Sequence, residues 1–535
     1  MAPLSLIVET ESGRVRGVYD RPSEHLPAVR VFRGIPFAAP PVGDARFAPP
    51  QPAQPWSGVR AAESFGASPM QDTAGPFSAL IPGSHVGPVA EDCLTLNVWT
   101  PTGSTSGLPV MMWVYGGAFL TGGTAISTYD ASRVCAEQEV VVVSANYRLG
   151  ALGFLWLGDH GGDEAGAVPN AGLLDQLAAM QWVGRNVSAF GGDPTRLTVF
   201  GESAGAGSLL HLHASPLSKG LFGRLICQSA GIDDTLDVES AAKVTTALLD
   251  ELGELAAGGG VGPGTVDKLR AVPAADLISA QTNCTPALMN AVGAMPFHPV
   301  VDGRTVPEKP AVAIAAGAGA DVDLLLTWTA DELRLFPNAR ADTIGRDGLI
   351  KWSARYLSSR LGEEVPFDRA ADLVDFYTAA EAAQGRTRGA YVWAALQTDG
   401  AMRLPARRIA EARLGQGAVT YCAQFSWPAR GGDWQRGAFH AIDLPFVFGT
   451  LGRAGWSEFL GSDEGAEQLS TEIRSAWASF TRSGVPSGPT TGSWPAYTAP
   501  DRSTTILDSP CRVDQDPLGE IDRMWRGLLP QPRNP

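Results

Sequence analysis

The pentapeptide GESAG at residues 201–205 constrains the fold of this chain more than any other feature. Its G-x-S-x-G spacing permits a sharp turn from a strand into a helix, and this turn exposes the serine hydroxyl above a sheet edge. Small residues are required there because the neighbouring backbones approach too closely for larger side chains. Residues 196–200 suit a buried strand, and residues 208–212 begin a helix-like segment. We therefore expect Ser203 to be a nucleophile, with a structural turn serine as the alternative.

Apolar runs without alternation predict the strands of a parallel sheet, because strands that are buried on both faces have this pattern. Between two of these runs, residues 171–187 carry apolar side chains at helical spacing. The strand candidates lie at residues 110–115, 139–144, 197–200, 224–228, 322–328 and 418–425. This alternation of strands and helices predicts an α/β fold, in which helices flank a mostly parallel central sheet.

Long helical stretches follow the elbow at residues 237–255 and 345–415, and residues 256–264 predict a Gly-rich loop. The chain contains no internal repeat and no linker long enough to separate independent domains. We therefore expect one α/β domain over residues 1–535, with large helical insertions at 235–320 and 345–415 that form cap or regulatory regions over the active site.

The charge of the chain argues against nucleic acid as a partner. The formal net charge is −15, and such a surface repels phosphate backbones. No run of apolar residues approaches the length of a membrane span, so no membrane partner is expected. Residues 1–10 lack a basic region and predict a first strand rather than a signal peptide.

The six cysteines are dispersed and contain no C-x-x-C pair. Cys227 and Cys422 lie in apolar, strand-like runs, where cysteine usually acts as a small buried hydrophobe. Reduced thiols and a cytoplasmic location are therefore expected.

Residues 113–119, WVYGGAF, contain a second Gly-rich turn at the end of the strand candidate at 110–115. Small residues let backbone N–H groups converge where a carbonyl oxygen becomes negative during nucleophilic attack. We expect Gly117, Ala118 and Ala204 to supply these donors as an oxyanion hole. A simple tight turn after a strand is the alternative.

Four further blocks carry a resemblance to a known family. They are RGIPFAAPPVG at residues 33–43, EDCLTLNVW at 91–99, NYRLGALGF at 146–154, and FGGDPTRLTVFGESAG at 190–205. With these blocks the chain resembles the type-B carboxylesterases, which include cholinesterases and bacterial para-nitrobenzyl esterases, nearly from end to end. The resemblance implies an α/β-hydrolase fold and a catalytic triad in the order serine, acid, histidine.

Two downstream blocks resemble the segments that carry the family's acid and histidine. TADEL at residues 329–333 follows the strand candidate at 322–328 and selects Glu332, with Leu333 in place of the common glycine. GAFHAIDLPFVF at residues 437–448 selects His440. The chemistry agrees, because a serine hydroxyl needs a base that titrates near neutrality and a carboxylate that orients that base.

Other acids and histidines remain alternatives. Asp331 is the main rival for the acid, and Asp302 and Asp443 are weaker rivals that suit a turn and a helix start. His211 and His213 follow Ser203 on a helix that should face them away from the hydroxyl. By family resemblance His298 is a candidate cavity residue, whereas His25, His85 and His160 lie in polar loops and are expected to be solvated.

The resemblance also implies supporting residues. Ser229 is expected to hydrogen-bond Glu332, and Glu202 to support the site from beside the nucleophile. Arg46 with Glu91, and Arg148 with Asp175, are expected to be structural ion pairs, and ordinary surface charges are the alternative.

The segment MPFHPVVDG at residues 295–303 resembles the wall of the family's acyl pocket, which implies that Met295 and Phe297 contact substrate. Three departures limit the resemblance. No cysteine precedes Cys93, so the disulfide of secreted relatives is not expected. Residues 68–92 lack the tryptophan with which cholinesterases hold quaternary ammonium, and Tyr115 stands where many bacterial relatives have histidine.

The sequence therefore predicts a serine carboxylesterase that hydrolyses uncharged short- to medium-chain and aromatic esters through an acyl-enzyme. An amidase or carbamate hydrolase with the same triad, and a non-catalytic binding member of the fold, are the alternatives. No cofactor or metal is expected, because the chain lacks H-E-x-x-H and Leu210 interrupts a dinucleotide-type glycine pattern. The expected partner is a small-molecule ester, and the expected state is a monomer or weak homodimer.

Overall fold

The computed structural model describes residues 5–75, 83–103, 106–231, 235–253, 264–292, 295–430, 436–453, 455–460 and 464–528. The expected Gly-rich loop at 256–264 lies outside these residues, except for Gly264. Within them, the central sheet has eleven strands in the order β11-β10-β9-β8-β7-β6-β4-β5-β3-β2-β1. In chain order the strands are Val18–Asp20 (β1), Val29–Pro36 (β2), Thr95–Pro101 (β3), Leu108–Val114 (β4), Val141–Ala145 (β5), Gly192–Glu202 (β6), Arg224–Gln228 (β7), Asp323–Thr329 (β8), Thr420–Phe425 (β9), Ser503–Leu507 (β10) and Arg512–Gln515 (β11).

The middle of this sheet is parallel and its two edges are antiparallel. Strands β5, β4, β6, β7, β8, β9 and β10 pair in parallel in that spatial order. Strands β3, β2 and β1 extend one edge antiparallel, and β11 closes the other. Every residue of β4 and β5 is buried, as their continuous apolar runs require. The predicted α/β class is confirmed.

Helices occur both before and after the elbow along the chain. The α-helices of the described part of the chain are Ser132–Gln138 (α1), Gly150–Phe154 (α2), Ala171–Asn186 (α3), Ala204–Ala214 (α4), Val238–Leu252 (α5), Thr265–Ala271 (α6), Ala274–Val292 (α7), Pro310–Ala315 (α8), Gly345–Leu361 (α9), Phe367–Ala382 (α10), Gly389–Thr398 (α11), Leu404–Ala412 (α12), Leu444–Phe448 (α13), Trp456–Leu460 (α14), Glu464–Ser483 (α15) and Gly519–Met524 (α16). The helical stretch expected at 345–415 is four helices, with a π-helical turn at Asp399–Arg403 between α11 and α12.

Short strands lie outside the central sheet. Ile7–Thr10, Gly13–Arg16 and Val59–Ala61 form a three-stranded sheet near the amino terminus. Ser68–Pro69 pairs with Val89–Ala90, and Ser487–Gly488 pairs with Gly492–Ser493. The strand expected near the amino terminus is therefore present, but it pairs outside the central sheet.

The described residues form two hydrophobic cores. The larger core packs on the central sheet and includes Trp113, whose ring lies 4.9 Å from the Phe200 ring and 5.0 Å from the Phe448 ring. The smaller core joins α9, α10 and α11 to Trp525 near the carboxyl terminus. Trp113 and Phe200 are close to the carboxyl ends of β4 and β6, so their contact lies near the elbow.

Candidate active site

Ser203 lies on a strained turn between strand β6 and helix α4. Its backbone has φ 54° and ψ −125°, a conformation that L-residues rarely adopt. Two glycines make the turn possible, because a Cβ atom would lie 2.8 Å from Val114 O at Gly201 and 2.2 Å from it at Gly205. The Ser203 N–H donates to Gln228 O at 2.9 Å, which ties the turn to β7. As a result of this turn, the Ser203 side chain is partly exposed at the sheet edge.

Glu332 and His440 meet at the carboxyl end of β8. Glu332 begins a short 3₁₀ helix directly after this strand, and its side chain is fully buried. Its Oε2 lies 2.6 Å from His440 Nδ1, and its Oε1 accepts a hydrogen bond from the Thr329 N–H at 2.7 Å. The backbone N–H of His440 also donates to the backbone carbonyl of Glu332 at 3.1 Å. A carboxylate only accepts, so Nδ1 carries the proton and Nε2 faces the site.

Glu202 occupies the Nε2 side of the histidine. Its Oε1 lies 3.1 Å from His440 Nε2, and both side chains are buried. The separation is short, but among the described residues Glu202 Oε1 has no hydrogen-bond partner, so the contact is electrostatic. The hydrogen bonds of the described residues include none between His440 and the Ser203 hydroxyl. Ser203 and His440 line the same cavity.

Burial and charge shift the pKa values of both groups. Burial raises the pKa of Glu202 to about 8, while His440 opposes the shift. Burial lowers the pKa of His440, but the carboxylates of Glu202 and Glu332 outweigh it and raise the pKa to about 9. Because the two groups interact across 3.1 Å, they titrate as a coupled pair, and the neutral form of the histidine is favoured only as the pH rises past its raised pKa.

Asp443 is a further buried carboxylate that interacts electrostatically with Glu332 and His440. Burial raises the pKa of Asp443 to about 6, and its Oδ2 accepts a hydrogen bond from Gln228 Nε2 at 2.7 Å. Asp443 also precedes α13, so it lies at a helix start as expected.

Asp302 accepts hydrogen bonds from the Arg304 and Val306 N–H groups and therefore belongs to a turn.

A Gly-rich loop faces the serine from strand β4. Gly117 has φ 113° and Ala118 has φ 55°, while the N–H groups of Leu120 and Thr121 both donate to Gly117 O. A Cβ atom at Gly116 would lie 2.8 Å from Ser203 Cβ, so this loop needs glycine. Within the described residues, the N–H groups of Gly117, Ala118 and Ala204 donate to no protein acceptor. These donors are available to an oxygen bound beside Ser203.

Ser203 opens into a cavity of about 90 Å³. Leu335, which ends the helix that Glu332 begins, and Phe336, which follows it, line this cavity, and the Phe336 ring lies 6.4 Å from the His440 ring. Sequence reasoning missed these two residues, although their position three and four residues after the acid was a usable signal. The described lining residues are Gln71, Ser84, Val86, Gly116, Gly117, Ala118, Thr121, Gly122, Ile126, Thr128, Tyr129, Glu202, Ser203, Leu335, Phe336, His440 and Leu444.

The assignment of Met295 and Phe297 to substrate contact is corrected by the structure. Phe297 has no exposed surface and belongs to the main core, and Met295 packs against the same core. Neither residue lines the cavity that contains Ser203. Both side chains are apolar, and packing against the core removes them from the site.

Ser229 also differs from expectation. Its hydroxyl is buried without a hydrogen-bond partner among the described residues, so the expected bond to Glu332 is not formed. The Thr329 N–H donates to Glu332 instead.

The expected ion pairs are both present. Arg46 contacts Glu91 with two bonds of 2.7 Å, and Arg148 contacts the fully buried Asp175 at 2.8 and 2.7 Å.

The remaining histidines do not contact Ser203. His211 bonds Gly207 O and Thr235 Oγ1, and His213 bonds Arg413, so helix α4 directs both away from the serine. The His298 ring is buried and packs on Phe119. His160 is buried rather than solvated, which corrects that expectation, whereas His25 and His85 are exposed.

Within the described ranges, no group of three or more His, Cys, Asp or Glu side chains could hold a metal ion. No helix in the same ranges has both the length and the apolar character needed to cross a membrane. All six cysteines are free thiols.

Comparison with known proteins adds independent findings. Residues 4–525 match the model of the carboxylesterase family. The chain is 37% identical over 516 residues to a para-nitrobenzyl esterase of Bacillus subtilis (strain 168), with 96% of this chain and 97% of that protein covered. It is 35% identical over 500 residues to a fumonisin B1 esterase of Sphingopyxis macrogoltabida, with 92% and 84% covered. The solved structure of a thermophilic PNB esterase matches with a TM-score of 0.83 and 35% identity, and covers 97% of this chain and 100% of that one.

Proposed function

Because the chain belongs to the carboxylesterase family, we propose that Ser203, His440 and Glu332 are the nucleophile, base and acid with which it hydrolyses esters. The protein is a carboxylic ester hydrolase that acts on small-molecule esters. One observation carries the assignment of roles. Glu332 Oε2 lies 2.6 Å from His440 Nδ1, while the opposite face of that histidine lines the same cavity as Ser203.

The first step forms an acyl-enzyme. The Ser203 hydroxyl attacks the carbonyl carbon of the ester as His440 Nε2 accepts its proton. Glu332 keeps the proton on Nδ1 and stabilises the imidazolium that forms. His440 then gives its Nε2 proton to the alcohol oxygen as the bond between carbon and that oxygen breaks.

The oxyanion formed by this attack needs donors near Ser203. The free N–H groups of Gly117, Ala118 and Ala204 serve this role, because they lie on the two strained turns that face each other at the sheet edge. One such donor contributes about 3–4 kcal/mol to the stability of the transition state. The backbone supplies these donors without a side chain that must first be ordered.

The second step releases the acid. Water takes the place of the alcohol, and His440 removes one of its protons as the water oxygen attacks the acyl carbon. The tetrahedral intermediate collapses, the acid leaves, and His440 returns the proton to Ser203 Oγ. No other group is required, since the proton that enters at Nε2 leaves again in each half of the cycle.

The cavity favours uncharged esters with short to medium or aromatic acyl groups. Its described lining contains neither lysine nor arginine, and Glu202 lies beside the nucleophile, so an anionic ester finds no counter-charge. Val86, Ile126, Leu335 and Phe336 provide apolar walls that suit alkyl and aromatic groups. Apolar walls discriminate by only about 1–3 kcal/mol per methylene-sized misfit, so the range of substrates is broad.

Free thiols support a reducing compartment such as the cytoplasm. Burial raises the pKa of the Cys135 thiol far above its usual range, and Cys93, Cys227 and Cys422 are likewise buried. Such thiols pack as small apolar groups and need no oxidising environment.

Rapid-mixing kinetics test the acyl-enzyme. With 4-nitrophenyl butyrate, one equivalent of 4-nitrophenol should appear in a burst if deacylation is slower than acylation, and Ser203→Ala should remove both the burst and the turnover. Ser279→Ala, a change on the exposed face of α7, serves as the matched control and should behave as the wild type. Turnover by Ser203→Ala at the wild-type rate would overturn the assignment, and faster cleavage of the matching butyryl anilide would instead favour an amidase.

A further inference from the structure

Asp331, the residue before the proposed catalytic acid, bonds the loop that carries His440. Its N–H donates to Ala438 O at 2.9 Å, and its Oδ2 accepts the Ala438 N–H at 2.9 Å. The contact leaves no spare room, because a Cβ atom at Gly437 would lie 2.1 Å from the same Oδ2. Gly437 adopts φ 63°, which glycine tolerates and other residues rarely adopt. The two loops are therefore fixed to each other two residues before the histidine.

A network of charged side chains holds this carboxylate in place. Arg334 lies 2.9 Å from Asp331 Oδ1 and 3.1 Å from Glu381 Oε2. Arg386 bonds both oxygens of Glu381, at 2.5 and 2.9 Å, and the Arg334 guanidinium lies 5.0 Å from the centre of the Tyr391 ring. Arg334 and Glu381 are only 6% exposed, so solvent screens their interaction weakly. This network of charges extends from Glu381 on helix α10 to the loop of His440.

We propose that Asp331 is a positioning residue of this ester hydrolase, held by Arg334 and Glu381 so that it fixes the loop of His440 against Glu332. The proposal rests on the proposed roles of Glu332 and His440. It also gives a function to the helical layer over residues 345–398, because Glu381, Arg386 and Tyr391 belong to that layer and none of them lines the cavity. The adjacent Leu333 N–H donates to Thr398 Oγ1 at 3.1 Å and anchors the acid loop to the same layer.

The geometry separates this role from that of a catalytic acid. The Asp331 carboxylate contacts Arg334 and the Ala438 N–H, whereas Glu332 contacts the imidazole. Burial raises the pKa of Asp331, and the charge of Arg334 opposes this shift and favours the carboxylate form that accepts two donors. Loss of either partner should displace His440 rather than remove a group that reacts.

The test compares Asp331→Ala, Asp331→Asn and Arg334→Met in the full chain. A serine-reactive phosphonate first titrates the fraction of molecules with a competent Ser203, and kcat and KM are then measured per titrated site with 4-nitrophenyl butyrate. Arg346→Met is the matched control, because Arg346 pairs with Asp375 at 2.7 Å on the same helical layer, and both side chains are half exposed. Glu332→Gln runs in parallel as the measure of the catalytic acid itself.

We expect Asp331→Ala to lower kcat per site by about 10- to 100-fold with little change in KM, since a displacement of about 1 Å in a catalytic group costs up to about 100-fold. Asp331→Asn should retain more activity, because its amide oxygen still accepts the Ala438 N–H. Arg334→Met should also lower kcat, and Arg346→Met should not.

Two results would overturn the proposal. One is a loss of titratable sites at wild-type kcat per site, which indicates a role in folding only. The other is a change in KM with kcat retained, which indicates contact with substrate. A Glu332→Gln variant that retains wild-type kcat would refute the proposed triad instead, so the two failures are distinguishable.

Discussion

Replacing Glu202 with glutamine should shift the pH dependence of the enzyme to lower pH. The carboxylate lies 3.1 Å from His440 Nε2 and raises the pKa of the imidazole. Coulomb's law at an effective dielectric constant of about 20 gives roughly 5 kcal/mol for two full charges at this distance, or about 4 pKa units. The observed shift should be smaller, because burial raises the pKa of Glu202 to about 8 and it is only partly ionised near neutrality. We expect the apparent pKa of the histidine to fall by about 1–2 units.

The assay is kcat/KM for 4-nitrophenyl butyrate at constant ionic strength from pH 5.5 to 10, corrected for spontaneous hydrolysis. His440 must be neutral to act as a base, so activity rises as pH passes its folded-state pKa, and a lower pKa moves the acid limb to lower pH. Glu239→Gln, on the exposed side of α5, is the control for a carboxylate replaced at a distance from the site. An acid limb that stays in place, or moves to higher pH, would refute the reasoning.

Three further predictions follow from the geometry. Glu332→Gln should fold normally and lower kcat by about 10⁴-fold in steady-state assays, as a comparable triad change does; a loss below tenfold contradicts the role. Phe336→Ala should raise kcat/KM for long acyl esters relative to butyrate, whereas Phe297→Ala should leave that ratio unchanged and destabilise the fold by about 3–5 kcal/mol in urea titrations. With six free cysteines, the melting temperature should not change with reductant, and a shift of several degrees would reveal a disulfide.

Local sequence patterns predicted the features that depend on a few adjacent residues. The elbow around Ser203 is readable because the strained turn requires small residues at fixed spacing, and the loop at Gly117 is readable for the same reason. The α/β class follows from apolar runs that must be buried on both faces, and strand β4 is buried at every position. These are properties of short segments, and no distant contact is needed to infer them.

Contacts between distant segments could not be inferred in this way. Phe297 is apolar on a short loop, and only tertiary packing decides that it joins the core while Phe336 lines the cavity. The bonds of Asp331 join segments 107 residues apart, so its sequence position beside Glu332 made it a rival acid rather than a support. Ser229 follows a strand as expected, but the position of its hydroxyl relative to Glu332 depends on the packing of β7 against β8.

The most direct measurement of the central claim is the site of covalent labelling. The native protein is treated with a chromogenic phosphonate until activity is lost, digested, and analysed by tandem mass spectrometry. The proposed mechanism predicts one adduct per chain, on Ser203, with loss of activity in proportion to labelling and no adduct in Ser203→Ala. An adduct on another serine, or full inhibition with Ser203 unmodified, would contradict it.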